Sequence, residues 1–596
     1  MPTSPATKGD SVVTITVYSN GSELAQTSAI VSVTITKAIN RIPTARIVIL
    51  DGDMPNQDFP ISNSATLIPG AEITITAGYG QNQSTIFQGI LVGQGMKISG
   101  DNYARLVIEC RDKAVEMTIG RKNANFVDAK DSDVISRLIG NYQGLSSDVE
   151  ATKTQYKELV QYYCTDWDFL LSRAEVNGML VTVESGAVTV KSPQTSGTPQ
   201  LKVTYGEDLM EFHAELDARA QYTAVTGTVW DQKSQGVLQQ KAGPKTLNTQ
   251  GNLDGGRLAR VVGPATFRLQ TPISMEATAL QAWVDGQQMK SALARIRGRM
   301  TFQGSAQATI GQLIELHGVG DRFNGEAFVS SVKHDISNGN WITEAEFGLS
   351  PEWFAEQRNL VAPPASGFLP GIEGLHIGVV KKLEEDPEGE QRVQVSVPVL
   401  EAEMDGVWAR LAGFYGSNGI GAFFIPEVGD EVVLGYMNND PCHPVILGSL
   451  YSSKRKPPYS LTADNFTKAL VTKSKLKLEF DDDKKVITIM TPGKNTITLS
   501  DDDKSILLQD QNSNKVTLSS SGILLDSPKD IAMTAKGKIT IEAVGEIDIS
   551  SKADVKVAGL NINNSANIGF VAKGNASAEL SASGQTTVKG AMVMIN

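Results

Sequence analysis

The chain has few cysteines, histidines and aromatic residues. Among its 596 residues are 3 cysteines, 5 histidines and only 6% Phe, Trp and Tyr. Cys110, Cys164 and Cys442 are odd in number and far apart, which favours reduced structural thiols over a disulfide framework. The histidines are scattered, and no metal-binding, nucleophile-elbow or P-loop spacing is present. The sequence therefore predicts no enzyme, no metal site and no cofactor.

Positive charge, a signal peptide and long apolar runs are also missing. Lys and Arg total 54 against 66 Asp and Glu, a formal charge of −12, which argues against nucleic-acid binding and electrostatic attachment to anionic lipid. The N-terminus has no basic region followed by an apolar stretch, and no run is long enough to span a bilayer. We expect a protein that is made in the cytoplasm and leaves the cell only within a larger assembly.

What the chain does contain is an eight-residue repeat near its end. Each repeat holds an apolar–polar–apolar step, which predicts a short strand with one buried face, and small residues between the steps suit tight turns. Three strand residues in eight are too few for a wide single-chain solenoid, so we predict a narrow prism of three intertwined chains. The side chains predicted to fill the trimer core are Ile539, Ile541, Ile547, Ile549, Val555 and Val557.

Composition divides the chain into three predicted domains. In residues 1–362 apolar and polar residues alternate, which predicts strands. Helical inserts interrupt them, such as the one that begins at the capping-box pair Thr165 and Asp168. After a Pro- and Gly-containing linker, residues 371–455 are a dense run of short strands. A second linker precedes residues 470–596, which contain short strands and turns. The predicted fold class is mainly β with small α/β inserts.

An ordered set of short motifs fills the middle domain. These motifs are Gly378-Val379-Val380, Asp386-Pro387-Glu388-Gly389, Val407-Trp408-Ala409-Arg410-Leu411, Ile425-Pro426-Glu427-Val428-Gly429-Asp430-Glu431-Val432 and Pro444-Val445-Ile446-Leu447-Gly448. The set resembles the OB-fold module of VgrG-type spike proteins, which belong to contractile injection systems such as type VI secretion and phage-tail-like particles. Cys164–Met179 is similar to a helix signature in that family's hub. The octads and Gly590–Asn596 resemble its needle.

The resemblance implies an architecture and a set of partners. Residues 1–362 would form a hub of tube-like β-barrels, 371–455 an OB-fold like the N-terminal domain of a myophage cell-puncturing protein, and 470–596 a trimeric intertwined β-helix. The homotrimer would contact inner-tube and baseplate proteins, effector cargo and, transiently, the target membrane. Made in the bacterial cytoplasm, it would be delivered outside the cell or into target cells. A PAAR-type tip protein would bind Met592, Val593, Met594, Ile595 and Asn596.

Alternatives remain at the level of sequence. A β-helical phage tailspike or polysaccharide-degrading enzyme would need paired carboxylates on a broad solenoid face, and an adhesin or stalk would explain only the repeats. Because the linker before the needle is short and the sequence stops at Asn596, we expect a structural spike without a fused effector. Asp481–Asp483 and Asp501–Asp503 lack the glycine and distal Glu of a calcium-binding hand and are interpreted as solvated turns. Gly416–Gly421 is interpreted as an OB loop, and His443 as a hairpin residue.

Overall fold

The structure is a computed structural model, and it describes residues 2–6, 12–25, 29–100, 103–245, 247–262, 266–357, 360–400 and 406–595. The chain divides into two compact units, Met1–Leu450 and Tyr451–Asn596, which are described one at a time. Strands far outnumber helices in the described residues, which confirms the predicted mainly β class. Every helix in these ranges is too short or too polar to cross a bilayer.

The first seven strands form an antiparallel sheet whose alternate side chains point into one core. Ile47 lies opposite Val33 on one neighbouring strand and opposite Ile108 on the other. All three side chains are fully buried, as the alternating pattern predicts. The strands are β1 (Val13–Ser19), β2 (Ser22–Glu23), β3 (Ile30–Ala38), β4 (Thr44–Leu50), β5 (Glu72–Tyr79), β6 (Asn82–Ile98) and β7 (Ala104–Arg111).

A helical insert follows this sheet. The Thr165 hydroxyl accepts a hydrogen bond from the Asp168 amide at 3.0 Å, which confirms the predicted cap of the second helix. The buried carboxylate of Asp131, at the start of the first helix, forms an ion pair with Arg173 of the second helix, with 2.7 Å between Oδ1 and Nε. The elements are β8 (Lys122–Lys130), α1 (Asp131–Gly140), β9 (Ser146–Val149), β10 (Gln155–Cys164), α2 (Asp166–Val176), β11 (Leu180–Glu184) and β12 (Ala187–Lys191).

The chain then returns to the first sheet. β20 pairs with β3, so that Ser331 lies opposite Ala38. One thirteen-stranded sheet results, in the order β14-β18-β21-β20-β3-β4-β7-β6-β5-β1-β2 with β19 and β13 branching from β20. The new elements are β13 (Leu201–Thr204), β14 (Leu209–Leu216), β15 (Ala224–Asp231), β16 (Gly236–Ala242), α3 (Gly255–Leu258), β17 (Thr266–Thr271), α4 (Ala277–Leu293), β18 (Ile296–Gln303), β19 (Leu313–His317), β20 (Gly325–Ser337) and β21 (Asn340–Phe347).

A small closed barrel ends the first unit, as the OB-fold prediction requires. Its strands close in the order β22-β23-β24-β28-β27 around a core of Val, Leu, Ile and Ala side chains. Arg392 contacts Asp386 at 2.6 Å, and its guanidinium holds the pKa of that carboxyl well below the usual range. The strands are β22 (His376–Lys382), β23 (Val393–Ser396), β24 (Val407–Leu411), β25 (Gly416–Ser417), β26 (Ile420–Gly421), β27 (Glu431–Tyr436) and β28 (Pro444–Ser449).

Two turns interpreted from the sequence lie in this barrel. Gly416–Gly421 forms the β25–β26 hairpin with no helix after it, which confirms a loop rather than a phosphate cradle. His443 lies in the exposed turn between β27 and β28, 3.2 Å from Asp440. Short 3-10 helices also occur, at Lys113–Thr118, Phe354–Glu356, Pro364–Gly367, Pro398–Leu400 and Met437–Asn439.

The second unit begins with a seven-stranded antiparallel meander in which each strand pairs with the next. Both Asp runs lie at hairpin turns of this meander, as predicted. The strands are β29 (Thr467–Val471), β30 (Lys477–Asp481), β31 (Val486–Met490), β32 (Thr496–Ser500), β33 (Ser505–Gln509), β34 (Lys515–Ser519) and β35 (Gly522–Asp526).

From residue 527 to 595 the single chain has no strand pairing. Bends interrupt this segment at 528–529, 536–537, 544–545 and 552–553, and later at 560, 567–568, 575–576, 583–584 and 591. The first four bends follow one another at steps of eight residues. The backbone therefore has the octad period that the side chains predict.

Candidate assembly surface

One face of the meander carries two lanes of apolar side chains that cross all or most of its strands, whereas the opposite face is mixed and includes Leu507 and Leu524 beside threonines. The cross-strand register places each lane member directly opposite the next. The first lane is Leu470, Leu478, Ile489, Ile497, Leu508, Val516 and Leu525. The second lane is Phe480, Ile487, Leu499, Ile506, Leu518 and Ile523. We call these two lanes together the apolar face.

Hairpin turns fix the register that creates this face. The connections between successive strands alternate between five and four residues until the last, which has two. Side chains cap these turns. The Asp510 carboxylate accepts hydrogen bonds from the backbone amides of Asn512 and Asn514 at 2.9 and 2.8 Å. The Thr472 hydroxyl accepts one from the Leu476 amide at 3.1 Å. A slip of one residue would turn every lane member to the opposite side, so these turns specify the face.

The apolar face is uncovered in the single chain. Ile497 and Ile489, in the middle of the first lane, remain 39% and 46% exposed, and Ile523 at the edge of the second is 75% exposed. The other face of the same strands carries Thr488 and Thr498 at the intervening positions. A contiguous, exposed apolar surface that crosses seven strands is typical of an interaction site.

The connecting segment before the meander contacts the face opposite the apolar face. The Tyr459 hydroxyl donates to the carboxylate of Glu479, and Lys477 contacts the same carboxylate at 2.9 Å. The Tyr459 hydrogen bond, followed by the Lys477 contacts, lowers the pKa of Glu479 despite partial burial. Successive side chains of a strand point to opposite faces, so Glu479 points away from its neighbours Leu478 and Phe480. The Tyr459 contact therefore leaves the apolar face open.

The octad repeat continues the apolar face in phase. Ile523 and Leu525 on β35 are followed eight residues later by Ile531 and Met533, and eight later again by the first predicted pair, Ile539 and Ile541. Ile531 also lines the same groove as Ile489, Ile497 and Leu508. The repeat therefore starts two steps earlier than the sequence analysis placed it. The signal that could have found it is the same apolar–x–apolar step at positions 523 and 531.

The structure leaves the predicted trimer-core residues and tip residues exposed in the single chain. Ile539, Ile541, Ile547, Ile549, Val555 and Val557 are between 50% and 72% exposed. Met592, Val593, Met594 and Ile595 are exposed too. Asn596, the last predicted tip residue, lies outside the described residues. Within the described ranges, no three His, Cys, Asp or Glu side chains gather where they could hold a metal ion.

Three family models match successive parts of the chain. Residues 9–338 match the Alg8 N-terminal domain, and residues 376–451 match the type VI secretion system/phage-baseplate injector OB domain. Residues 486–553, which include most of the apolar face and the first octads, match the phage baseplate V C-terminal trimerisation domain. An injector OB domain followed by a trimerisation domain defines the spike class. Because the first match covers more than half of the chain, the chain belongs to the Alg8 N-terminal domain family. The two later matches separately identify the chain as a VgrG-type spike of contractile injection systems.

Curated relatives share part of the chain. The type VI secretion system spike protein VgrG5 of Pseudomonas aeruginosa is 31% identical over 120 residues, which cover 19% of this chain and 15% of that protein. Spike protein VgrG3 of Vibrio cholerae is 31% identical over 113 residues, 17% of this chain and 11% of that protein. The actin cross-linking toxin VgrG1 of Vibrio cholerae is 27% identical over 145 residues, 22% of this chain and 12% of the toxin. The chain thus matches less than a sixth of the length of each of these relatives.

Solved structures resemble the chain more distantly. The 43 kDa tail protein of prophage MuSo2 from Shewanella oneidensis has 12% identity and a TM-score of 0.43, over 57% of this chain and 98% of that protein. The E. coli c3393 protein, a type VI secretion component, has 11% identity and a TM-score of 0.37, over 73% of this chain and 99% of that protein.

Proposed function

We propose that three copies of this chain form the hub and spike at the tip of a contractile injection apparatus. The spike links the inner tube to a tip cap and cargo, and it punctures the target envelope. The observation that supports this proposal is the uncovered apolar face, which runs in phase from Leu470 on β29 to Val557 in the octads.

Three-fold assembly accounts for both parts of this surface, the two lanes of the meander and the apolar pairs of the octads. Three meanders that turn their apolar faces to a common axis bury all of the lanes at once. Within the described residues, 527–595 pair with no other strand of their own chain, so the partner strands come from the other two copies. Complete burial of a Leu, Ile or Phe side chain contributes roughly 1.5–3 kcal/mol. The lanes are already partly buried, so each member would add about 1 kcal/mol per chain on assembly.

The proposed action is mechanical rather than hydrolytic. A prism in which every strand pairs with a neighbour is stiff along its axis, as a piercing device requires. Two of the three relatives described above are named as spike proteins, and the one named as a toxin shares only 12% of its length with this chain. Purified protein should release no product from peptidoglycan or other glycans. Turnover abolished by one point mutation would instead support the alternative, a β-helical tailspike enzyme.

The proposed division of labour follows the predicted domains. Residues 1–362 form the hub that meets inner-tube and baseplate proteins, 371–455 the OB-fold collar, and 470–596 the needle. The protein is made in the bacterial cytoplasm and reaches the outside, or a target cell, as part of the particle.

The proposed tip site is the last apolar run of the sequence. Met592, Met594 and Ile595 are 79%, 80% and 92% exposed, and three copies would present them as a small platform with open strand edges. A PAAR-type cap would bind there by edge pairing and apolar contact. Deletion of residues 592–596 should abolish co-purification of the cap while the trimer persists. Unchanged cap binding by the shortened trimer would contradict this site.

Two variants on one strand test the assembly. Ile497 and Thr498 are neighbours on β32 and point to opposite faces of the meander. Ile497→Asp would bring three uncompensated carboxylates to the axis, so we expect chains of lower order in sedimentation. Thr498→Asp adds the same charge to the opposite face and should keep a mass of three times 63.8 kDa. If both variants remain trimers of equal thermal stability, the apolar face is not the assembly surface.

A further inference from the structure

A second apolar surface, separate from the apolar face, projects from the OB barrel. Residues 412–426 contain no charged side chain, and we call this segment the aromatic hairpin. Phe414 and Phe423 are each 86% exposed, and Tyr415, Ile420 and Phe424 are also exposed. With 150–250 Å² per aromatic side chain, the four aromatic residues together with Ile420 present on the order of 600 Å² of mostly apolar surface. That is the upper end of what a free monomer shows.

The barrel holds this segment in a defined shape. Gly416 pairs with Gly421 and Ser417 with Ile420, and the Ala422 amide donates to the Tyr415 carbonyl at 2.9 Å. A Cβ atom on Gly421 would lie 2.8 Å from that carbonyl oxygen, so only glycine fits this close approach.

Both ends of the segment are fixed to the barrel. The Ala412 amide donates to the Ile446 carbonyl at 2.9 Å, and the Glu427 amide donates to Asp430 at 2.9 Å. A surface presented on a hydrogen-bonded hairpin loses little conformational entropy when it binds. The aromatic side chains are therefore pre-organised for contact.

We propose that the aromatic hairpin packs against the OB barrel of another copy of this chain, as a second trimer contact. The inference rests on the proposed trimer. Only residues 451–466 separate the barrel unit from β29, and at full extension they reach about 55 Å. Chains joined through their meanders therefore hold their barrels at high effective concentration, whatever the arrangement of the two units.

The absence of charge in the hairpin is compatible with a second acidic copy as its partner, and the effective concentration set by the meanders favours that copy. Each chain has a net charge of −12, so two copies have the same sign of net charge. The uncharged hairpin provides a contact without like-charge repulsion. A lipid surface is the competing partner for exposed aromatic side chains, and the experiment separates the two.

The test uses the full chain with p-benzoylphenylalanine placed at Phe423 or, as matched control, at Phe368, which is 87% exposed outside the hairpin. Irradiation of a mixture of isotopically heavy and light chains should yield heavy–light cross-links to residues 371–455. We expect at least fivefold more of these from position 423 than from 368. Equal yields from a particle of trimer mass would overturn the inference and leave the proposed trimer standing. A monomeric full chain would overturn both.

Substitution gives an independent result. Phe414→Ser with Phe423→Ser should raise the chain concentration at which the trimer dissociates at least fivefold, and Phe368→Ser should leave it unchanged. An unchanged dissociation midpoint for the double variant would contradict the inter-copy contact. The inference is also contradicted if the wild-type trimer binds phosphatidylcholine–phosphatidylglycerol vesicles through these two phenylalanines, because hairpins packed against barrels are not available to lipid.

Discussion

Replacement of Ile547 and Ile549 by Asp should prevent the needle from forming. In the single chain these side chains are 50% and 72% exposed, and in the proposed trimer they lie on the axis. Assembly buries the side-chain area that is still exposed in the single chain, and this burial stabilises the trimer by about 1–2 kcal/mol for each isoleucine. The substitution removes this apolar burial. It also brings six carboxylates together on the axis in two layers, and each unpaired buried charge costs several kcal/mol. The total exceeds roughly 10 kcal/mol per trimer, comparable to the whole stability of a typical domain.

A control with the same charge change isolates the axis. Thr540 and Lys556 occupy the middle positions of the neighbouring apolar–polar–apolar steps. Thr540→Asp with Lys556→Ala also makes each chain more negative by two charges, but at positions predicted to face solvent. Native mass spectrometry and thermal denaturation should show a trimer of nearly unchanged stability for the control and lower-order species for Ile547→Asp/Ile549→Asp. A trimer of unchanged stability in the isoleucine double variant would refute the buried axis.

Three further predictions concern the first unit. Thr165→Ala removes the hydroxyl that accepts the Asp168 amide and should cost about 1 kcal/mol of unfolding free energy, while Thr165→Ser should cost less; equal losses in urea denaturation would argue against the cap. Asp131→Asn breaks a buried pair with Arg173 and should cost roughly 3–5 kcal/mol, and a loss below about 1 kcal/mol would contradict that expectation. Burial, with a smaller effect of Lys37, lowers the pKa of His334 from 6.5 to about 3. As the pH falls through this window the unfolded chain is protonated first, so stability should be full above pH 6.5 and decline toward pH 3; His334→Gln should flatten that decline, and identical pH profiles would contradict it.

Local patterns predicted much of the fold. Alternation predicted the strands of the first sheet, where Ile47 is fully buried between two neighbours. The spacing of Thr165 and Asp168 predicted a cap that the structure confirms. The barrel motifs predicted the closed OB barrel at its place in the chain.

The pairing of strands that are distant in the chain could not be predicted from the sequence. β3 and β20 are neighbours in the first sheet, although Ala38 and Ser331 lie far apart in the chain. Neither strand carries a local signal for its partner, because pairing depends on the burial achieved by the complete sheet.

The apolar face was missed because its period is irregular. Its steps start at residues 478, 487, 497, 506 and 516, so the spacing alternates between nine and ten residues. Connections of four and five residues between equal strands produce this alternation. Only from residue 523, where turns become uniform, does the spacing settle at eight. The octad residues are unpaired in one chain because, in the proposed trimer, their strand partners belong to other copies.

The most direct test of the account is the mass of the purified full chain in native mass spectrometry. The account predicts a single dominant species of three times 63.8 kDa. A folded protein that remains at the mass of one chain would contradict the proposed three-fold spike.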